Sequence, residues 1–294
     1  MKLQALRELL RGYGSCLVAY SGGVDSVFLA VVAHQELGDK MLAVIADSAS
    51  LPREELAEAV ELAEQFRFPV RVIATEEFNN PEYLANPVNR CYFCKHELFT
   101  ELAPLAVKEQ FAVIAYGENA SDVGDFRPGA QAAKEFQVRA PLKEAGLTKA
   151  EIRQFSAELG LPTADKPQMA CLSSRIPYGE PVTRAKLGMI ERAEKVLREL
   201  GFYDVRVRHH ELGARAEVRG TKALQPEAAT KHLARIEVGP SEIARLLAGE
   251  TYQQVAAQLK EIGYAHVTLD LEGYRRGSLN EQVVGREGSL KFQV

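Results

Sequence analysis

The chain has 294 residues, 46% hydrophobic and 26% charged, which are the proportions of a folded globular protein and exclude a disordered or fibrous one. Its formal net charge of −4 argues against a protein that coats nucleic acid. The longest apolar runs, such as 41–46, fall far short of the ~18 residues a membrane helix requires, and residues 1–11 form a charged amphipathic pattern rather than a signal peptide. A cytosolic protein with neither membrane nor nucleic acid as a partner is expected.

In chain order, "CLVAYS" (16–21) predicts a strand that stops at two glycines, followed by a helix over 24–37. "MLAVIAD" (41–47) predicts a second strand, 53–66 a helix, and "PVRVIAT" (69–75) a third strand. After a loop come a helix over 94–110 and a fourth strand in "FAVIAYGEN" (111–119). Strands separated by helices of this length predict a doubly wound α/β domain with a parallel sheet, here residues 1–165. In 142–161, Thr148 is the N-cap, Glu151 completes a capping box, and Gly160 before Pro162 ends the helix that closes this domain.

Residues 166–182, rich in Pro, Ser and Gly, read as a functional linker loop. A smaller α+β domain over 183–280 follows, expected to bind substrate and to mediate oligomerisation. It has a helix to 200, alternating "YDVRVRHHE" (203–211), short strands "ARAEV" (214–218) and "ARIEV" (234–238), helices within 241–262 and a strand in "AHVTLDLEGY" (265–274). The likeness of "HHELGARAEV" to "KHLARIEV" predicts an inserted or duplicated hairpin near 219–232, and 281–294 reads as a loosely held tail.

The chemistry starts where the first strand ends. In "SGGVDS" (21–26), Gly22 and Gly23 let backbone N–H groups approach an anion, Ser21 and Ser26 add hydroxyls, and the next helix presents its positive end. Asp25 inside that cradle would repel phosphate unless a cation neutralised it, which implies ATP with Mg2+. Neither a Walker loop nor a GxGxxG fingerprint is present. Asp47 and Ser48 end the second strand at the edge where open sheets bind ligands, as nucleotide contacts or as a plain turn. Gly117, Asn119, Asp122, Asp125 and Arg127 in "YGENASDVGDFRPG" follow the fourth strand, as ligands for ATP, Mg2+ and an anionic substrate or as a polar Asx-turn loop.

Of the four cysteines, Cys16 sits in an apolar strand and reads as a buried structural thiol. Cys91 and Cys94 form a CxxC in "NRCYFCKHELF", and Cys171 lies in "QMACLSSRIPYG". Three thiolates suit a 4Fe-4S cluster with one iron left open. A zinc site completed by His96 and an unliganded trio are the other readings.

The SGGxDS loop resembles that of the PP-loop ATP pyrophosphatases, which bind the pyrophosphate released when ATP adenylates a substrate. With "CLSSRIPYG", "VRVRHH" and "VTLDLEGYRRG", the stretch from 17 to about 280 resembles the LarE-type ATP-dependent sulfur transferases of nickel-pincer nucleotide biosynthesis. The resemblance implies that pyridinium-3,5-biscarboxylic acid mononucleotide is adenylated and thiolated on the way to the cofactor of lactate racemase-type enzymes, by a homo-oligomer. Cys171 occupies the place of the cysteine that sacrificial members consume. Cys91 and Cys94 match members that hold a 4Fe-4S cluster with three cysteines, so sulfur comes from a cluster or from Cys171 itself. The resemblance makes Arg175, Arg206 and Arg208 substrate positions and Glu194 an active-site position. Either Glu217 or Glu237 matches the family's "ARIE" glutamate. Alternation places Arg206 and Arg208 on one strand face, where a solvated arginine pair is the plainer reading.

Three other functions compete. A tRNA thiolase would share the adenylation, but zinc-ribbon cysteines and a strongly basic domain are missing from this sequence. An amidotransferase-linked synthetase would need a source of ammonia. A nonenzymatic nucleotide- or metal-binding module would have no need of three cysteines.

Overall fold

Every residue of β1 (Cys16–Tyr20) is buried, and its alternating side chains feed two apolar layers, which is why the segment reads as a central strand. Cys16, Val18 and Tyr20 join one layer, while Leu17 and Ala19 join the other. The computed structural model describes residues 1–122, 128–167, 170–212 and 230–275, which divide into two units, Met1–Cys171 and Leu172–Val294.

The first unit runs α1 (Lys2–Tyr13), β1, α2 (Val24–Leu37), β2 (Met41–Asp47), α3 (Arg53–Gln65), β3 (Val70–Ala74), α4 (Pro81–Leu84), α5 (Arg90–Lys108), β4 (Val113–Tyr116), α6 (Pro128–Glu135), α7 (Pro141–Glu144) and α8 (Lys149–Glu158). The four strands form one parallel sheet in the order β3-β2-β1-β4. One layer packs Leu6 and Leu10 of α1, Val27 and Phe28 of α2 and Ile152 of α8. The other packs Phe99 and Leu102 of α5 with Ala132 and Ala133 of α6. The expected doubly wound α/β arrangement is the one observed. Burial pushes the Cys16 thiol up to about 12, so it behaves as a small apolar residue.

The start of one helix differs from expectation. The helix read over 94–110 begins at Arg90, so the CxxC lies in its opening turns rather than in a preceding loop. The capping box forms as read: the Thr148 hydroxyl accepts from the Glu151 backbone N–H while the Glu151 carboxylate accepts from the Thr148 N–H.

The second unit contains α9 (Arg184–Glu199), β5 (Val205–Leu212), β6 (Lys231–Val238), α10 (Ile243–Leu247), α11 (Thr251–Ile262) and β7 (His266–Leu269). β5 pairs antiparallel with β6, and β6 pairs parallel with β7. The strand read over 265–274 is shorter than expected, because the chain turns at Gly273, whose φ of 68° favours glycine. Val205, Val207, Ala234, Ile236 and Val238 meet Leu197 of α9 and Leu259 of α11 in one core. The "ARAEV" strand, the hairpin near 219–232, Glu217 and the 281–294 tail lie outside the described residues. Among the described residues, no helix is long and apolar enough to cross a membrane.

His209 enters this core fully buried, with Nδ1 3.1 Å from the Tyr264 hydroxyl and Nε2 3.1 Å from Nδ1 of His232. Burial, then the charges of His232, Lys186 and His210, lowers its pKa from 6.5 to about 3. Above pH 6.5 the folded and unfolded states are both neutral here, whereas below it only the unfolded state takes the proton. The His209 contribution is therefore intact at neutral pH and falls as the pH drops toward about 3. About 2 kcal/mol should be lost by pH 5. Urea midpoints at pH 7 and pH 5 should separate less in His209→Gln than in the wild type.

Candidate functional site

The turn between β1 and α2 is built to leave backbone donors exposed to a ligand. Gly22 has a φ of 70°, and a Cβ there would stand 2.7 Å from Cβ of Ala59, so a larger residue would displace α3 or the turn. The Ser26 hydroxyl donates to the Gly23 carbonyl (3.1 Å), accepts from the Ser21 N–H (3.1 Å) and lies 3.0 Å from the Ser21 hydroxyl. These bonds tie the loop to the first turn of α2. Gly23 is the N-cap and has no side chain to cap that turn, leaving the positive end of the helix for an anion.

Asp25 projects from the same turn. Its Oδ2 accepts a 2.7 Å bond from Nζ of Lys149, whereas its Oδ1 is buried with no hydrogen-bond partner among the described residues. A buried carboxylate oxygen left without a donor is costly, and a bound divalent cation would remove that cost. Gly117, just beyond β4, packs against this turn: a Cβ would lie 3.1 Å from both Cβ of Asp25 and the Ser26 nitrogen. Lys149 is absent from the sequence-based candidates. The signal was there, since a lysine in the first turn of a helix opposes the dipole and needs an acidic partner.

The other strand-end residues make local contacts. Asp47 pairs with Arg53, and the Ser48 hydroxyl donates to Glu77 and accepts from the Ser50 N–H at 3.0 Å. Oδ1 of Asn119 accepts from the Ser121 N–H (2.9 Å), and Oδ2 of Asp122 accepts from the Asn119 N–H (3.1 Å). These contacts are those of a polar turn. Asp125 and Arg127 lie outside the described residues.

Cys91 and Cys94 are three residues apart on α5 and share one face. Burial and then the charge of Cys171 raise both thiols, Cys94 to about 12. The side chain of Arg90 is buried beside them. It donates to Oδ1 of Asn86, its Nη2 lies 3.9 Å from Sγ of Cys171, and its charge and hydrogen bond pull Cys91 downward. Arg90 was also missed, because an arginine next to a CxxC carries no distinctive spacing. On α6, a Cβ at Gly129 would stand 2.9 Å from Cγ of Lys95 and 3.4 Å from the Cys91 carbonyl, which explains the small residue there.

His96 does not complete a metal site. Two residues beyond Cys94 it turns away, and its ring packs 5.0 Å from Phe136 and 5.7 Å from Tyr92. Among the described residues, no three His, Cys, Asp or Glu side chains group closely enough to hold a single metal ion.

In the second unit, Arg175, Arg206 and Arg208 are buried, unlike the solvated pair that was the alternative reading of Arg206 and Arg208. Arg175 is 1% exposed and grips Glu194 with two bonds, Nε to Oε1 at 2.8 Å and Nη2 to Oε2 at 3.0 Å. Glu194 also accepts from Arg198 and from the Val207 N–H, so it is a clasp rather than a solvated helix carboxylate. Burial would raise its pKa, but Arg175, Arg206 and Arg198 together hold it below the usual range. Arg208 makes a similar two-pronged pair with Glu237 at 2.9 and 2.8 Å and donates to the Ser174 carbonyl. Arg206 lies over the Tyr274 ring at 4.9 Å, and burial followed by repulsion from Arg175 lowers its pKa. Glu237 is described here and faces Arg208; Glu217 is not.

No family model matches the chain. It is 43% identical over 279 residues to a Synechocystis protein without a functional name, covering 95% of this chain and 97% of that one. It is 32% identical over 278 residues to the pyridinium-3,5-bisthiocarboxylic acid mononucleotide synthase of Lactiplantibacillus plantarum, covering 94% and 91%. A glutamine-hydrolysing GMP synthase of Brucella melitensis is 27% identical over 233 residues, covering 69% of this chain and 44% of that protein.

A cation beside a bound anion would give Oδ1 of Asp25 the partner it lacks among the described residues. Pyrophosphate should bind the wild type about tenfold more tightly with Mg2+ than without, and Asp25→Asn should remove most of that difference, as calorimetry would read.

Proposed function

Because the chain belongs to the LarE-type family of ATP-dependent sulfur transferases, within the PP-loop superfamily, we propose that it thiolates the carboxylates of pyridinium-3,5-biscarboxylic acid mononucleotide. The observation that carries this reading is the uncapped α2 N-terminus with a buried carboxylate oxygen of Asp25 left for a cation. That combination suits Mg2+-bound ATP better than a bare anion.

The reaction has two halves. A substrate carboxylate oxygen attacks the α-phosphorus of ATP, forming an acyl adenylate and releasing pyrophosphate. The Ser21–Ser26 turn receives the pyrophosphate through its N–H groups and hydroxyls, Asp25 holds Mg2+, and Lys149 keeps Asp25 in place. Sulfide then attacks the acyl carbon, and the bond to the AMP oxygen breaks, leaving a thiocarboxylate. Arg175, Arg206 and Arg208 form the anion-binding face for the substrate, with Glu194 and Glu237 holding two of the guanidinium groups in fixed planes.

Three thiols at Cys91, Cys94 and Cys171 are the donor type of a 4Fe-4S cluster, and the Arg90 cation would offset negative charge at Cys91 and Cys171. When bound, such a cluster would supply an iron free of protein ligands as a holding place for sulfide. The chain's own part is to present the three sulfurs and to bury a cation beside them.

Adenylation and sulfur delivery should separate experimentally. Anaerobically purified wild type should hold about four irons per chain. Cys91→Ala should lose them and the thiocarboxylate product while still releasing pyrophosphate from ATP with the biscarboxylate mononucleotide. Colourless wild type that becomes lighter by the elements of hydrogen sulfide after one turnover would instead make Cys171 a single-use donor. Failure of every carboxylate substrate to release pyrophosphate would overturn the enzyme reading.

A further inference from the structure

β5 and β6 place like charges directly opposite each other: Arg208 is in register with Arg235. Such a cross-strand pair is destabilising unless something negative lies between the two groups. Glu237 serves both, since Arg208 grips it with two bonds and Nη2 of Arg235 reaches its Oε1 at 3.2 Å. Arg235 also approaches Asp270, with Nη1 3.4 Å from Oδ2.

Two polar nitrogens on this face remain unsatisfied. Nε of Arg235 and Nε2 of His210 are both buried and have no hydrogen-bond partner among the described residues. The residues follow one strand face, because His210 alternates with Arg208 along β5 and Arg235 stands diagonally across from it on β6. Burial first, and then the charges of Arg235 and Arg208, keep His210 neutral, with Glu237 opposing. The potential at His210 is thus positive, and a neutral imidazole can offer an N–H at Nε2 without adding repulsion. About a third of the Arg235 side chain is exposed, so this end of the face borders solvent.

We propose that Arg235 and His210 form an anion subsite for the phosphomonoester of the substrate, extending the face provided by Arg206 and Arg208. This rests on the mononucleotide reading above for the identity of the ligand. The subsite itself requires only a tetrahedral oxyanion with two oxygens, one accepting from Nε of Arg235 and the other from Nε2 of His210. Asp270 and Glu237 hold the Arg235 fork by its other nitrogens, which fixes the direction of the remaining N–H. Arg235 and His210 would then separate nucleotides from nucleosides, leaving the adenylated carboxylate to the other groups.

The test uses full-length protein and two readings. First, inorganic phosphate is titrated while the His210 imidazole resonances are followed by NMR in the wild type and in Arg235→Gln. Second, calorimetry compares nicotinic acid mononucleotide with its nucleoside on both proteins. Phosphate should shift the His210 signals in the wild type and not in the variant. The variant should bind the mononucleotide about tenfold more weakly, the equivalent of one charge-assisted contact, and the nucleoside unchanged. Arg235→Lys, which keeps the charge but not the fork, should not restore the affinity. Unmoved His210 signals, or equal losses for mononucleotide and nucleoside, would overturn the subsite. If phosphate moves His210 but no thiocarboxylate is ever formed, the subsite stands and the thiolation reading falls. If thiocarboxylate forms while the His210 signals stay unmoved, the thiolation reading stands and the subsite falls.

Discussion

The Asp25 carboxylate, one oxygen bound to Lys149 and the other buried without a partner among the described residues, is the constraint around which the first unit is arranged. A carboxylate at the positive end of a helix is favourable by itself, but enclosing an unpaired oxygen costs several times what one ordinary hydrogen bond returns. The surrounding residues follow from that cost. Gly117 must be small because β4 closes on Asp25, Gly22 must be glycine because α3 crowds the turn, and α8 begins with the lysine that supplies a countercharge. The apolar parallel sheet beneath is the rigid floor that holds these positions.

In the second unit the same electrostatic problem is met with the opposite sign. Burying guanidinium groups is costly unless each has a carboxylate or carbonyl in good geometry, and removing one partner of such a pair costs about 3–5 kcal/mol. Arg175 with Glu194 and Arg208 with Glu237 meet that requirement with paired bonds. The rigidity has a chemical use. A guanidinium already fixed in one plane loses little freedom on taking an anion.

Much of this was legible in the residues. The apolar and helical runs located β1, β2 and α2, and the SGGVDS loop pointed to a tight turn that requires glycine at Gly22. Thr148 and Glu151 marked a helix start to the residue. Long-range pairing was not legible. Lys149 meets Asp25 across 124 positions, and Arg90 meets Cys171 across 81, so no local pattern carries either contact. Asn119 and Asp122 formed the turn that their side chains favour. Burial of Arg206 and Arg208 was hidden for a related reason: alternation assigns a shared face, but it does not say what covers that face.

The most direct test of adenylation at this loop is an oxygen-18 label in the substrate carboxylates, followed through a single turnover. If a carboxylate oxygen attacks the α-phosphorus and sulfur later displaces it, one labelled oxygen must leave with AMP while pyrophosphate stays unlabelled. Unlabelled AMP accompanying thiocarboxylate, or ADP in place of AMP, would contradict it.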